Sequence, residues 1–166
     1  MILSEMFENQ EKLDKYIMSN VEEEITLEEL YSNRILAAMV ELAEVSNASR
    51  CFKYWSKKES EPKERVLDEL ADVMHFILSI GNMIAKDIIE EYNFNPVCSY
   101  SDTVNQLINL NRICAWLQAI KDLDLYVNVM ENFLGLVILM GFEFKDLEIA
   151  YYKKQEVNYQ RQRENY

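Results

Sequence analysis

A few long helices packed as an all-α bundle is the fold class this sequence predicts, and three observations carry the prediction. Only three glycines (Gly81, Gly135, Gly141) and two prolines (Pro62, Pro96) interrupt 166 residues. These residues are the usual punctuation of turns, so the segments between breaks must be long. Apolar residues recur three and four positions apart over long stretches, the period of a helix face and not of a strand. The polar connection between the second and third segments is short, which makes those two antiparallel neighbours. A bundle of about six helices follows, in a single domain covering residues 1–166.

The first helix is expected from about Ser4 to Met18, with Phe7, Leu13 and Ile17 near one face. Glu22-Glu23-Glu24 marks a solvated break. Thr26 and Glu29 fit a capping box that starts the second helix, which is read as continuing to about Lys58 through Leu30, Ile35, Met39, Leu42, Val45, Phe52 and Trp55. The stretch Glu59 to Lys63 is a short polar connection. The third helix runs from about Glu64 to Tyr92 on the stripe Val66, Leu70, Val73, Ile77, Ile80, Ile84 and Ile88. Asn93 to Tyr100 reads as a loop, and Ser101 as the cap of a fourth helix carrying Val104, Leu107, Ile108, Ile113 and Leu117. The fifth, about Leu125 to Met140 with Gly141 as its stop, is apolar nearly all round and belongs at the centre of the bundle or at a subunit contact. The sixth, roughly Phe144 to Arg163, is rich in Tyr, Lys and Arg.

The formal charge is -12, from 29 acidic against 17 basic residues. Such a surface repels nucleic-acid phosphates and disfavours direct nucleic-acid binding. A free nucleotide that arrives with a metal ion brings the positive charge the protein lacks. The three cysteines (Cys51, Cys98, Cys114) are odd in number and lack CxxC spacing, which points to reduced thiols in the cytoplasm. Met1 to Asn20 is acidic and amphipathic, unlike a signal peptide. The longest apolar stretch, Phe133 to Phe142, is ten residues, too short to span a membrane.

Chemistry enters with four carboxylates. Glu41 and Glu44 lie three apart on the second helix, and Glu69 and Asp72 three apart on the third. Residues so spaced share a helix face. Antiparallel packing can turn both pairs into one groove beside apolar stripes. There they would repel strongly unless neutralised. An all-oxygen cluster suits Mg²⁺ completed by phosphate oxygens, and the chemistry that follows is hydrolysis of a phosphate ester or anhydride by a metal-activated water. One ExxE pair alone is common on solvated faces; two pairs on adjacent apolar helices carry more. Lys153, Lys154, Arg161 and Arg163 fall within eleven residues, a cationic stretch suited to phosphate oxygens. Trp55 is eleven residues past Glu44, which puts it about 20° away in azimuth and about 16 Å further along the helix. Phe76, seven past Glu69, shares that pair's face.

The blocks Glu41-Leu-Ala-Glu44, Asn47, Cys51-Phe-Lys53-Tyr-Trp55-Ser and Asp68-Glu69-Leu-Ala-Asp72-Val-Met-His75-Phe76-Ile-Leu-Ser-Ile-Gly81 resemble the dimeric dUTPase family, of the all-α NTP pyrophosphatase superfamily that also holds MazG-like enzymes. Tyr151-x-x-Lys154-x-x-x-Asn158-x-x-Arg161 resembles that family's C-terminal phosphate-binding segment, and Gln10-x-x-Leu13-Asp14 its first motif. The resemblance implies a four-helix catalytic core, a homodimer, and hydrolysis of dUTP to dUMP and pyrophosphate without a covalent intermediate. It implies that Glu41, Glu44, Glu69 and Asp72 bind magnesium, as many as two or three ions with substrate present. One of them, Glu41 by preference, would activate water. It implies phosphate binding by Lys53, Lys154 and Arg161, and phosphate or deoxyribose contact by Asn158. Trp55 would pack near the base, His75 and Phe76 would line its pocket, and Gln10 and Asn47 would hydrogen-bond the nucleoside. Two positions depart from the family pattern: Asp14 stands where asparagine is usual, and so does Gln155. Both lie outside the metal-binding set and bear on base and sugar selection.

Attack at the α- or β-phosphorus gives the same products and stays open. Three rival readings share the scaffold: a dCTP/dUTP or broader MazG-like pyrophosphatase, a nucleotide-controlled module that binds a regulatory protein partner, and a plain structural bundle.

Overall fold

The computed structural model describes residues 1–89 and 91–164, and of Asp87 the backbone only. Within them the chain forms six helices and no strand: α1 (Ser4–Ser19), α2 (Leu27–Ser49), α3 (Lys63–Ile89), α4 (Thr103–Ile120), α5 (Leu123–Leu139) and α6 (Phe144–Arg163). The all-α class and the helix count agree with the sequence pattern. No single helix among the described residues is long and apolar enough to cross a membrane.

Local chemistry sets the boundaries. The Thr26 hydroxyl accepts from the Glu29 amide at 3.2 Å, and the Thr26 amide donates to the Glu29 carboxylate at 2.9 Å, the reciprocal box that opens α2. Asp102, and not Ser101, caps α4, accepting from the Asn105 amide at 2.9 Å. Asp122 caps α5 through the Leu125 amide at 2.9 Å, which starts that helix two residues earlier than periodicity suggested. Gly141 follows the end of α5 with φ +81, a left-handed stop that glycine adopts without strain.

The largest correction concerns α2, which ends at Ser49 and not near Lys58. Arg50 takes the left-handed conformation (φ 57) and turns the chain. The turn is fixed by the Arg50 guanidinium, which donates to the Ser56 hydroxyl at 2.6 Å and the Lys58 carbonyl at 3.2 Å. The Glu61 amide closes it on the Ala48 carbonyl at 2.9 Å. Phe52 and Trp55 therefore leave the helix face and are exposed. At the far end of α3 the backbone departs from helix at Ala85, and Ile88 beyond it is 57% exposed instead of continuing the stripe. The helix is expected to reach Tyr92; Glu90 lies outside the described residues, and Glu91 and Tyr92 beyond it are not helical.

α3 is the hub, packed against α1, α2, α5 and α6, while α4 pairs with α5 and α2. Val66, Leu70, Val73, Ile77 and Ile80 of α3 are all buried. α5 belongs to the core and not to the surface, with Tyr126, Met130, Phe133 and Leu136 fully buried. The two walls of the groove, α2 and α3, run antiparallel: Glu41 meets Asp72, and two turns away Arg34 meets the Ser79 carbonyl at 3.4 Å.

Candidate active site

Glu41 projects from α2, and Glu69 and Asp72 from α3, so that one oxygen of each lies within 4.8 Å of the others. Glu69 is buried and the other two are half-buried. Burial, then the neighbouring Asp72 and Glu69, pushes the Glu41 carboxyl up to about 7. Burial also raises Glu69 and Asp72, against Arg65 and Lys154 respectively. Glu44, one turn past Glu41, is exposed and stands outside this group of three, although its charge adds to the rise at Glu41.

Two cations meet the acidic group. Lys154 of α6 is only 6% exposed and sits 2.6 Å from Asp72 and 2.9 Å from Asp68. Burial pulls its ammonium down, but the bonds to Asp72 and Asp68 outweigh that and hold it above its ordinary value. Arg65, one turn before Asp68 and Glu69, pairs with both.

The carboxylates open into a cleft of about 450 Å³ between α1, α2, α3 and α6. Glu41 and Asp72 line it, with Asn158 and Arg161 from α6, and Arg161 is close enough to lower the Asp72 pKa. Away from the acidic end the walls are Leu13, Ile17, Met18 and Leu30, with the polar side chains of Gln10, Asp14, Arg34, His75 and Ser79, and the ring of Phe76. The polar groups form one chain of bonds. The Gln10 amide donates to Asp14 at 2.8 Å, which orients its carbonyl to accept from His75 Nδ1 at 2.6 Å and the Tyr151 hydroxyl at 3.3 Å. Asp14 also accepts from the Ser79 hydroxyl at 2.5 Å and pairs with Arg34 at 3.2 Å. His75, stacked on Tyr151 with ring centres 4.3 Å apart, is neutral, because burial pushes its pKa down to about 3. With Nδ1 donating, its buried Nε2 is a lone pair that meets no donor among the described residues.

The structure thus brings Gln10, Glu41, Asp72, His75, Phe76, Asn158 and Arg161 to one cleft, with Glu69 and Lys154 at its acidic end. It does not bring Asn47, Lys53 or Trp55 there. Asn47 is exposed near the end of α2. Lys53 lies in the following connection, 5.3 Å from the Phe52 ring centre. Trp55 is 65% exposed and packs edge-on against Phe52 and Tyr54. The early end of α2 is the reason for Lys53 and Trp55, whereas Asn47 stays on the helix and faces solvent. Residues that sequence reasoning passed over include Arg34, Ser79 and Asp68. Arg34 lies seven residues before Glu41 and Ser79 seven after Asp72, so each shares a helical stripe with a predicted ligand, and that was the available signal.

Three clustered carboxylates form a hard, all-oxygen donor set, and the cations already paired there show that the group holds positive charge. These residues fit a divalent ion with oxygen preference. A protein-family model described as dUTPase matches residues 2–166 of the chain. No curated protein matches it significantly.

Proposed function

The chain belongs to the dUTPase family of dUTP diphosphatases, and from that premise we propose that it cleaves dUTP to dUMP and pyrophosphate with Mg²⁺ held by Glu41, Glu69 and Asp72. The observation that carries the reading is the layout of one cleft: carboxylates at one end, apolar and hydrogen-bonding walls at the other, and Asn158 and Arg161 along its side. A triphosphate suits the first end and a nucleoside the second. Magnesium, when bound, would supply positive charge to the phosphate oxygens and lower the pKa of water.

The chain's own residues do the rest. Glu41, its carboxyl pushed up to about 7 by burial and its acidic neighbours, is suited to take a proton from the attacking water near neutral pH. Lys154 and Arg161 bind phosphate oxygens, Lys154 exchanging its carboxylate partners for them. Asn158 contacts the phosphates or deoxyribose. Glu44 joins the metal set from the rim. Leu13, Ile17 and Phe76 exclude water around the nucleoside, with His75 and Gln10 behind them. Lys53 and Trp55 reach a nucleotide only if the connection after α2 moves or a second copy presents it, and Asn47, on α2 itself, only through a second copy.

A homodimer is part of this proposal, and its support is surface chemistry. Leu36 and Val40 of α2 and Ile108, Trp116 and Ile120 of the adjoining α4 are each about half or more exposed. Unpaired cysteines support a reducing compartment, the cytoplasm. The test of the reaction is pyrophosphate release from dUTP with and without Mg²⁺, beside dCTP, dATP and dUDP. Release from dUTP that needs the metal is expected. No release, or equal rates on dATP and dUTP, would overturn the reading.

A further inference from the structure

The inner cleft holds an ion pair, Arg34 with Asp14, that no part of the proposed reaction uses. Arg34 lies on α2 two turns from Glu41, about 10 Å along the helix axis, a span that fits a sugar and a pyrimidine in line. Its side chain is 12% exposed and lines the cleft. Asp14, itself 13% exposed, holds it at 3.2 Å, and the Ser79 carbonyl accepts from it at 3.4 Å. A guanidinium has five N–H donors and no acceptor. One is bonded to the Ser79 carbonyl and another faces Asp14 as an ion pair, so donor capacity is left over.

The acceptors nearby are in the opposite condition. Asp14 takes bonds from Gln10, Ser79 and Arg34. The Gln10 carbonyl takes bonds from His75 and Tyr151. One acceptor at this end, the His75 Nε2 lone pair, meets no donor among the described residues, but it is on another side chain, and a guanidinium fixed by its partners cannot turn into an acceptor. A base that presents a carbonyl at position 4 finds a partner here. A base that presents an amino group there sets donor against donor and leaves both unpaired.

We propose that Arg34, positioned by Asp14 and Ser79, is the specificity-determining residue for the base: it donates to the 4-carbonyl of uracil and rejects the 4-amino group of cytosine. This rests on the reading that the pyrimidine occupies the inner end of the cleft. It also gives the carboxylate at position 14 a task. Asp14 need not touch the base, because it holds the group that does.

The test separates recognition from turnover by using products. The affinities for dUMP and dCMP are measured by calorimetry on the full chain, on Arg34→Met, and on Asp14→Leu/Arg34→Met. The double variant removes the carboxylate that the single change would strand in the interior, and thermal melting checks that it folds. The unaltered protein is expected to prefer dUMP, and the preference to fall about 10- to 100-fold in both variants, the range for a hydrogen bond to a charged group. No preference in the unaltered protein, or its survival in the folded double variant, overturns the proposal. Recovery in the double variant of a preference lost in the single one also overturns it, since Arg34 would then serve only to neutralise Asp14. Pyrophosphate release from dUTP by the unaltered protein is scored separately. A chain that binds dUMP through Arg34 without hydrolysing dUTP keeps this inference and loses the proposed reaction.

Discussion

Lys154 Nζ sits 2.6 Å from Asp72 Oδ2, so an ammonium from α6 is seated on a carboxylate that also belongs to the candidate metal group. The pair ties the last helix to the hub helix and makes Lys154 a resident counter-ion, in competition with any divalent cation.

That competition is measurable. Replacing Lys154 by methionine keeps most of the buried stem and removes the charge. Affinity for Mn²⁺ in the absence of nucleotide is expected to rise about tenfold, a fraction of the roughly 4 kcal/mol between unit charges 4 Å apart at an effective dielectric near 20. The KM for dUTP is expected to rise at the same time, because the phosphate partner is gone. Calorimetric titration of nucleotide-free protein is the check, and unchanged or weaker Mn²⁺ binding would count against the resident counter-ion.

A pH dependence follows from Glu41. Its carboxyl is raised from 4.5 to about 7 in the folded protein. A folded-state pKa above the unfolded one means that the folded protein holds the proton more tightly. The associated stability is present below about 4.5 and is lost as pH rises through about 7. Glu69 and Asp72 shift the same way. In chelator, the Tm contribution of this group should decline between pH 5 and 8, and Glu41→Gln should flatten the decline. A profile identical in the variant would show that the strain on Glu41 is not felt by the fold.

The close approach of α5 to the loop before α4 gives a prediction independent of function. A Cβ on Gly135 would lie 2.0 Å from the Val97 carbonyl oxygen, a backbone atom that cannot swing aside. The same loop is held by buried amides: Gln106 donates to the Val97 carbonyl at 3.0 Å, and Ser99 to the Asn132 side chain at 2.7 Å. Gly135→Ala is expected to destabilise by about 2–4 kcal/mol, in the range of severe overpacking. Urea denaturation measures it; a loss under about 1 kcal/mol would mean that the loop gives way cheaply.

What the sequence made legible was whatever is periodic or capped by local chemistry. The bounds of α6, the Thr26 box and the Gly141 stop all follow from residues within a turn of one another. The end of α2 did not, because Arg50 adopts φ 57 without being glycine and is held by a loop that closes several residues later. That single miss displaced Trp55 from the face on which it was placed. Asp14 and Lys154 were visible as residues, but their partners, Arg34 and Asp68 with Asp72, lie on other helices, and pairing across helices leaves no local mark. The buried Gln106, Asn109 and Asn132 were illegible for a related reason. Gln106 and Asn132 bind the loop before α4 and Asn109 binds Asn132, partners that nothing local in the sequence marks.

The unequal placement of Glu41 and Glu44 yields the last prediction. Both belong to one ExxE pair, yet only Glu41 stands within the group of three, while Glu44 is exposed to solvent. A ligand at the rim can be replaced by water more easily than one inside the cluster, and burial and its neighbours lift the Glu41 carboxyl to about 7, in the range of a general base. Glu41→Gln is therefore expected to lower kcat for dUTP by about 10²- to 10⁴-fold, the range for losing a positioned base. Glu44→Gln should lose distinctly less and show most of its loss as a higher Mg²⁺ requirement. Titrating each variant with Mg²⁺ at saturating dUTP separates the cases. Excess metal should restore much of the Glu44 variant's rate and little of the Glu41 variant's. Equal losses that no metal concentration repairs would put Glu44 inside the catalytic group and require α2 to turn toward α3 when the nucleotide binds.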